Sequence, residues 1–206
     1  MEQMQETGSR NSLPHGVDEI DRARAQEYAL LAILLSRSPD AEMIRRLALL
    51  TGDATPLGAA HAALGQAAAR TDEARAGRQF FDLFTGVGQG ELLPYASHYL
   101  TRSLYGRPLA RLREAFQRLG IERKTGHSEP EDHVAILCEI MAGLVGGDIA
   151  GPAGSDRAFF QEHLAPWIGR FFADLERAQS ADFYARVGSL GRIFVGIEAE
   201  AFVLST

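Results

Sequence analysis

Five titratable side chains fall within one short stretch, His127, Glu129, Glu131, Asp132 and His133. Carboxylates and imidazoles packed this densely support three kinds of chemistry. A metal site would bring His133 to His163 across helices and take Glu129 or Asp132 as an oxygen ligand. The chain, however, has no HExxH run, no paired Glu-x-x-His motifs and no cysteine cluster. Acid–base hydrolysis by Asp132 and His133 would need a nucleophile, and no serine or cysteine stands in a recognisable context. The third is recognition of a cationic segment, because carboxylates pair with the planar, five-donor fork of arginine. An apolar part of the same segment would need a groove, which Tyr95, Tyr99, Trp167 and Phe171 can line. Simple core packing is the competing reading of each of those aromatics.

Part of the cluster also has a local explanation. Ser128-Glu129-Pro130-Glu131 reads as a helix start, with Ser128 as N-cap, Pro130 in the first turn and Glu131 completing a capping box. Carboxylates there stabilise the helix dipole by about 0.3–1 kcal/mol each. Asp132 and His133 are less easily explained this way, since His133 lies one turn before Ile136 and Leu137 and so near the apolar face.

Two other features invite chemistry and are set aside. The stretch Thr85-Gly86-Val87-Gly88-Gln89-Gly90 is rich in glycine, but no Lys-Ser pair follows it and no strand precedes it. Its spacing fits neither phosphate-binding fingerprint, so it reads as an interhelical connection. The single cysteine, Cys138, sits in an apolar helical run and reads as a small core hydrophobe.

The elements that must position these residues are helical throughout. From about Asp18 a helix places Tyr28, Leu31, Ala32 and Leu35 on one face. Asp40 caps a second, with Gly52 as its stop, and Thr55-Pro56 opens a third. Thr71 caps a fourth, whose buried face is Phe80, Phe81 and Phe84. A short helix carries Tyr95, Tyr99 and Leu100. Arg107-Pro108 starts the next, which ends at Gly120, and the capping box starts another, which ends at Gly146-Gly147. Ser155 caps a helix that Pro166 interrupts, and a last helix runs from about Ser180 to Phe202 with Phe183, Val187, Leu190, Phe194, Ile197 and Ala201 inward. No alternating strand pattern appears. The expected architecture is all-α, a single-domain bundle of about nine to ten helices over residues 18–206, behind a flexible tail at 1–17.

Composition narrows the function class. The net charge of −6 disfavours a phosphate-tracking surface and hence nucleic acid. The longest apolar run, Tyr28 to Leu35, is too short for a membrane span or a signal peptide, so a cytoplasmic protein is expected.

Glu129-Pro130-Glu131-Asp132-His133 resembles the E-P-x-D-H signature of the TorD/DmsD family of redox-enzyme maturation chaperones. Glu91-Leu92-Leu93-Pro94-Tyr95-Ala96-Ser97, the Phe160-x-x-His163-Leu164-x-Pro166-Trp167 run and Phe171-Phe172-Ala173-Asp174-Leu175 are similar in kind and order. The resemblance covers about residues 25 to 204. It implies a cytoplasmic all-α chaperone, not an enzyme, that binds the twin-arginine leader and the apo form of a molybdopterin-dependent oxidoreductase until cofactor is inserted. Through the Glu91 to Ser97 and Pro166-Trp167 stretches, a formate dehydrogenase catalytic subunit is the implied client. The leader-binding set is then Glu129, Pro130, Glu131, Asp132, His133, Tyr95, Tyr99 and Trp167, with no metal or cofactor, and with a monomer or a homodimer as the working form. The alternative function is a metal-dependent or weak nucleotide hydrolase using the Glu129 to His133 cluster.

Overall fold

The computed structural model describes residues 18–122 and 129–204. The expected tail at 1–17 and the N-cap residue Ser128 lie outside them. Among the described residues there are ten α-helices and no strand. They are α1 (Glu19–Ser36), α2 (Ala41–Leu47), α3 (Pro56–Ala68), α4 (Glu73–Phe80), α5 (Ala96–Thr101), α6 (Arg107–Arg118), α7 (Val134–Gly146), α8 (Ser155–Phe159), α9 (Ile168–Arg177) and α10 (Phe183–Leu204). The all-α bundle expected from periodicity is the one observed.

Five of the ten described α-helices start on a side-chain cap. Asp18, Asp40 and Thr55 each accept from a backbone N–H three residues on and so satisfy one donor that the helix itself cannot. The fourth helix starts one residue later than expected, because Asp72 and not Thr71 accepts from the Arg75 amide. Gly52 does not stop α2, which ends at Leu47; Gly52 instead packs so tightly on the Gly58 backbone that a Cβ would overlap it.

α1 packs along α7, and α10 packs against α9 and α3, so one continuous core runs through the bundle. Tyr28, Leu31, Leu34, Leu64, Leu137, Met141, Phe171, Phe172 and Leu190 are fully enclosed in it. Cys138 is buried there too, and burial pushes its thiol up to about 12, so it is an inert core side chain.

Two helices widen into π-turns, and each turn changes which side chain faces inward. After α4, the π-turn Phe81–Thr85 inserts extra rotation. It buries Leu83 completely and leaves Phe81 43% exposed, in contrast to the expected Phe80-Phe81-Phe84 face. The π-turn Phe160–Leu164 after α8 carries His163 inward in the same way.

The inner face of α10 also departs from the apolar pattern. Ile197 is 44% exposed, while Glu198 is only 2% exposed. Glu198 is accommodated because Arg24 meets it with two hydrogen bonds, 2.7 and 2.8 Å, and the Tyr28 hydroxyl donates to it at 3.1 Å. A buried carboxylate without such partners would be prohibitively desolvated. Glu198→Ala is therefore expected to lower stability by about 1–3 kcal/mol, because the buried Tyr28 hydroxyl loses its acceptor and Arg24 keeps only Asp21 and Asp156. Urea unfolding measures it, and an unchanged midpoint would show that the network contributes nothing.

Candidate functional site

The EPEDH segment does not begin a helix. α7 starts at Val134, and its N-cap is His133, whose Nδ1 accepts from the Ala135 amide at 3.1 Å. The expected capping box is thus replaced by a turn, in which the His133 amide donates to the Pro130 carbonyl at 3.1 Å. The reason is a competing partner. The Ala96 amide donates to the Asp132 carbonyl at 3.0 Å and the Val134 amide to the Pro94 carbonyl at 2.8 Å, forming an isolated antiparallel bridge between Tyr95 and His133. Extended backbone is needed on both sides of that bridge, so residues up to His133 cannot be helical.

This bridge joins two stretches singled out in the sequence, Glu91 to Ser97 and Glu129 to His133. The first is itself anchored at its start. The Leu92 amide donates to the Leu83 carbonyl, and the Glu91 carboxylate accepts from the Gln179 and Ser180 amides at 2.7 and 3.0 Å. The glycine-rich loop before it has a structural role: Gly86 has φ +60°, and a Cβ on Gly90 would sit 2.5 Å from the Leu83 carbonyl oxygen. Those glycines permit a tight turn and a close backbone approach.

The five residues of the motif diverge from the bridge. Glu129 and His133 line an open groove of about 630 Å³, together with Tyr95, Ile33, Phe80, Phe84, Ile136 and Glu139. The Tyr95 hydroxyl donates to the Glu129 carboxylate at 2.5 Å, and the Tyr95 and His133 rings meet edge to face at 5.2 Å. Burial pushes the His133 pKa below its ordinary 6.5, against the raising influence of Glu129 and Asp132. The ring is therefore neutral near pH 7 and can keep its Nδ1 lone pair on the Ala135 amide.

Pro130 is half-buried in the turn. Glu131 points elsewhere, only 7% exposed and held in a two-point pair with Arg113 at 3.0 and 2.9 Å. Asp132 is 1% exposed and does not reach the groove. One of its oxygens accepts from the Ser97 amide at 2.8 Å, acting as the cap that the residue preceding α5 does not supply. Its other oxygen has no partner among the described residues and borders a separate cavity of about 270 Å³, which His163 also lines.

The expected aromatic groove is likewise redistributed. Trp167, 1% exposed, is a core residue whose indole N–H donates to the His163 carbonyl at 2.7 Å, so it lines no accessible groove. Phe171 is fully buried beside it. Tyr99 is half-buried, packs on Trp167 at 5.6 Å, and faces a different depression with Arg102 and Arg170. Only Tyr95 joins the acidic turn. Ile33, Phe80, Phe84, Ile136 and Glu139 were missed by sequence reasoning. A signal was present in α1, where Ala29, Ala32, Ile33 and Ser36 form a second stripe at helical spacing beside the core stripe.

His133 and His163 border different cavities, and among the described residues no group of three or more His, Cys, Asp and Glu side chains is placed to hold a metal ion. What the groove offers is two carboxylates, Glu129 and Glu139, beside apolar and aromatic walls. That arrangement suits a peptide with cationic and apolar parts. Among the described residues, no helix is long and apolar enough to cross a membrane.

Comparison with known proteins agrees with the class that the fold defines, an all-α helical protein. The profile of the nitrate reductase delta subunit family matches residues 50–173. The chain belongs to this family, that of the TorD/DmsD redox-enzyme maturation chaperones. It is similar to the chaperone protein TorD of Aliivibrio fischeri, 28% identical over 131 residues that make up 59% of this chain and 61% of TorD. It is also similar to a Haemophilus influenzae protein named "probable Tat proofreading chaperone DmsD", 28% identical over 114 residues, 54% of each chain. The match thus spans less than two thirds of the length of these relatives. Among solved structures, a protein from Archaeoglobus fulgidus assigned as a redox enzyme maturation protein shares the fold, with a TM-score of 0.55 and 19% identity over 91% of this chain and 99% of that one.

Two predictions follow from the geometry of the turn. Asp132→Ala should cost about 1–3 kcal/mol by leaving the buried Ser97 amide unsatisfied. Hydrogen exchange should then show the Ser97 amide losing protection first, whereas uniform loss across the bundle would assign Asp132 a different role. For His133, the unfolded imidazole takes up a proton near its ordinary value and the folded one only at lower pH. Its neutral form therefore contributes stability that is full above 6.5 and lost as pH falls through the depressed folded value. NMR titration should place the His133 midpoint below 6.5, and a midpoint at or above it would contradict the burial argument.

Proposed function

We propose that this chain is a cytoplasmic chaperone that binds the twin-arginine leader and the apo form of a molybdopterin-dependent oxidoreductase, holding it until cofactor is inserted and delaying export. The observation that carries this reading is the groove between α1, α4 and α7, where Glu129 stands at an aromatic, apolar wall. A leader that follows two arginines with an apolar stretch presents a guanidinium to Glu129 and buries its greasy side chains against Ile33, Phe80, Phe84 and Ile136. Binding shields that stretch and blocks its capture by the export machinery. No catalytic residue is needed for this work.

The leader-binding set is redrawn accordingly. Glu129, His133 and Tyr95 contact the leader. Pro130, Glu131 and Asp132 hold the turn that presents them, Trp167 supports it from the core, and Tyr99 lies on a neighbouring face. The stretches that suggested a formate dehydrogenase client serve the fold here, with Glu91 fastening a backbone turn and Trp167 filling the core. A formate dehydrogenase catalytic subunit is the client that the resemblance implies, and the groove itself specifies only an oxidoreductase bearing an arginine-pair leader.

Glu129→Gln should weaken leader binding about threefold to fivefold, the range of a solvent-exposed ion pair, because Glu129 is exposed before binding. Calorimetry with a leader peptide measures this, and the melting temperature should not move. Equal affinity in the two proteins would remove charge pairing from the mechanism. Capture from the native host of an unprocessed, cofactor-free molybdoenzyme precursor would identify the client.

A further inference from the structure

The groove does not end at the acidic turn. A second open cavity of about 550 Å³ follows it along the junction of α1 and α7, and Ala29, Glu139 and Ala142 line both. On α7 the residues facing this trough recur every three to four positions: His133, Ile136, Glu139, Ala142, Gly146. One helix face therefore presents the Glu129–His133 end, then an apolar contact, then a carboxylate. Asp148 lies beyond it. At a rise of 1.5 Å per residue, Glu139 is about 9 Å along the axis from His133 and Gly146 about 20 Å. An extended peptide covers the longer span with roughly six residues.

The charges along this trough favour one kind of occupant. Glu139 and Asp148 are exposed, and neither forms a hydrogen bond or ion pair with a described residue. Among the described residues, Arg22 is the one arginine or lysine lining either cavity. A basic segment meets uncommitted carboxylates at intervals, and an acidic one meets repulsion.

We propose that the trough takes a peptide of basic–apolar–basic pattern, in which Glu129 receives the first basic position and Glu139 a second one beyond the apolar residues, so that Glu139 helps decide which leaders are accepted. This rests on the leader-binding reading above and extends it to a second contact. Glu139 acts on the peptide directly and leaves the fold alone, since its side chain is exposed.

The test is a double-mutant cycle by calorimetry. The probe is a synthetic peptide carrying Arg-Arg, an apolar stretch and a downstream lysine, with a second peptide in which that lysine is glutamine. Wild-type protein should bind the lysine peptide about threefold to fivefold more tightly, the range of a solvent-exposed ion pair. Glu139→Gln should bind both alike, and Glu139→Lys should prefer a third peptide with glutamate at that position. Equal affinities for the lysine and glutamine peptides in wild-type protein, with Glu129→Gln still weakening both, would overturn the second contact and leave the leader reading intact. No binding of any peptide by wild-type protein would overturn both.

Discussion

The bridge between Pro94–Ala96 and Asp132–Val134 is the constraint on which the site depends. It consists of two backbone hydrogen bonds, 2.8 and 3.0 Å, between segments far apart in sequence. The Asp132 carboxylate reinforces it by accepting from the Ser97 amide. Because the bridge forces extended backbone up to His133, α7 cannot start earlier, and His133 becomes its cap. Because it fixes Tyr95 opposite His133, the Tyr95 hydroxyl reaches Glu129. Three side chains from two distant motifs are thereby aimed into one groove by backbone pairing alone.

That arrangement explains why the motif reads so differently in sequence and in space. A stretch such as Ser128-Glu129-Pro130-Glu131 carries every local mark of a helix start, and locally the capping-box reading is sound. It loses to a pairing whose partner lies some 35 residues upstream, at Ala96 and Ser97. Nothing in a window around Glu131 reports that partner, or reports Arg113, which takes the Glu131 carboxylate.

Where a structural cause was local, it was legible. Asp18, Asp40 and Thr55 cap as their types and positions indicate, Gly147 closes α7 in a left-handed conformation, and the periodicity of α1 gives its buried face. The π-turn at Phe81–Thr85 was not legible, since one added residue per turn rotates Leu83 inward without any change of composition. Glu198 escaped notice for a related reason. Its position on the inner face of α10 follows from spacing, but Arg24 and Tyr28, far away in the chain, make a carboxylate tolerable there. Trp167 fits either a groove or the core by type alone, and it is core here because a carbonyl of its own segment satisfies its N–H.

The acidic residues of this chain separate into two sets, and the separation bears on how a chaperone of this kind works. Three carboxylates withdrawn from solvent are matched by a basic side chain: Glu198 by Arg24, Glu131 by Arg113, and Glu27 by His61, whose pKa is raised by that hydrogen bond, while buried Asp132 takes a backbone amide. Those along the groove are left to solvent, with Glu129 sharing only the Tyr95 hydroxyl. A cation arriving at an exposed carboxylate need not displace an internal arginine, and the carboxylate has little desolvation cost to recover on release. Each such contact is modest, on the order of 1 kcal/mol or less. For a peptide of the proposed kind, affinity then comes from several contacts and the apolar wall together, so each contact can open in turn. A single buried ion pair would hold as tightly but would release its ligand in one costly step.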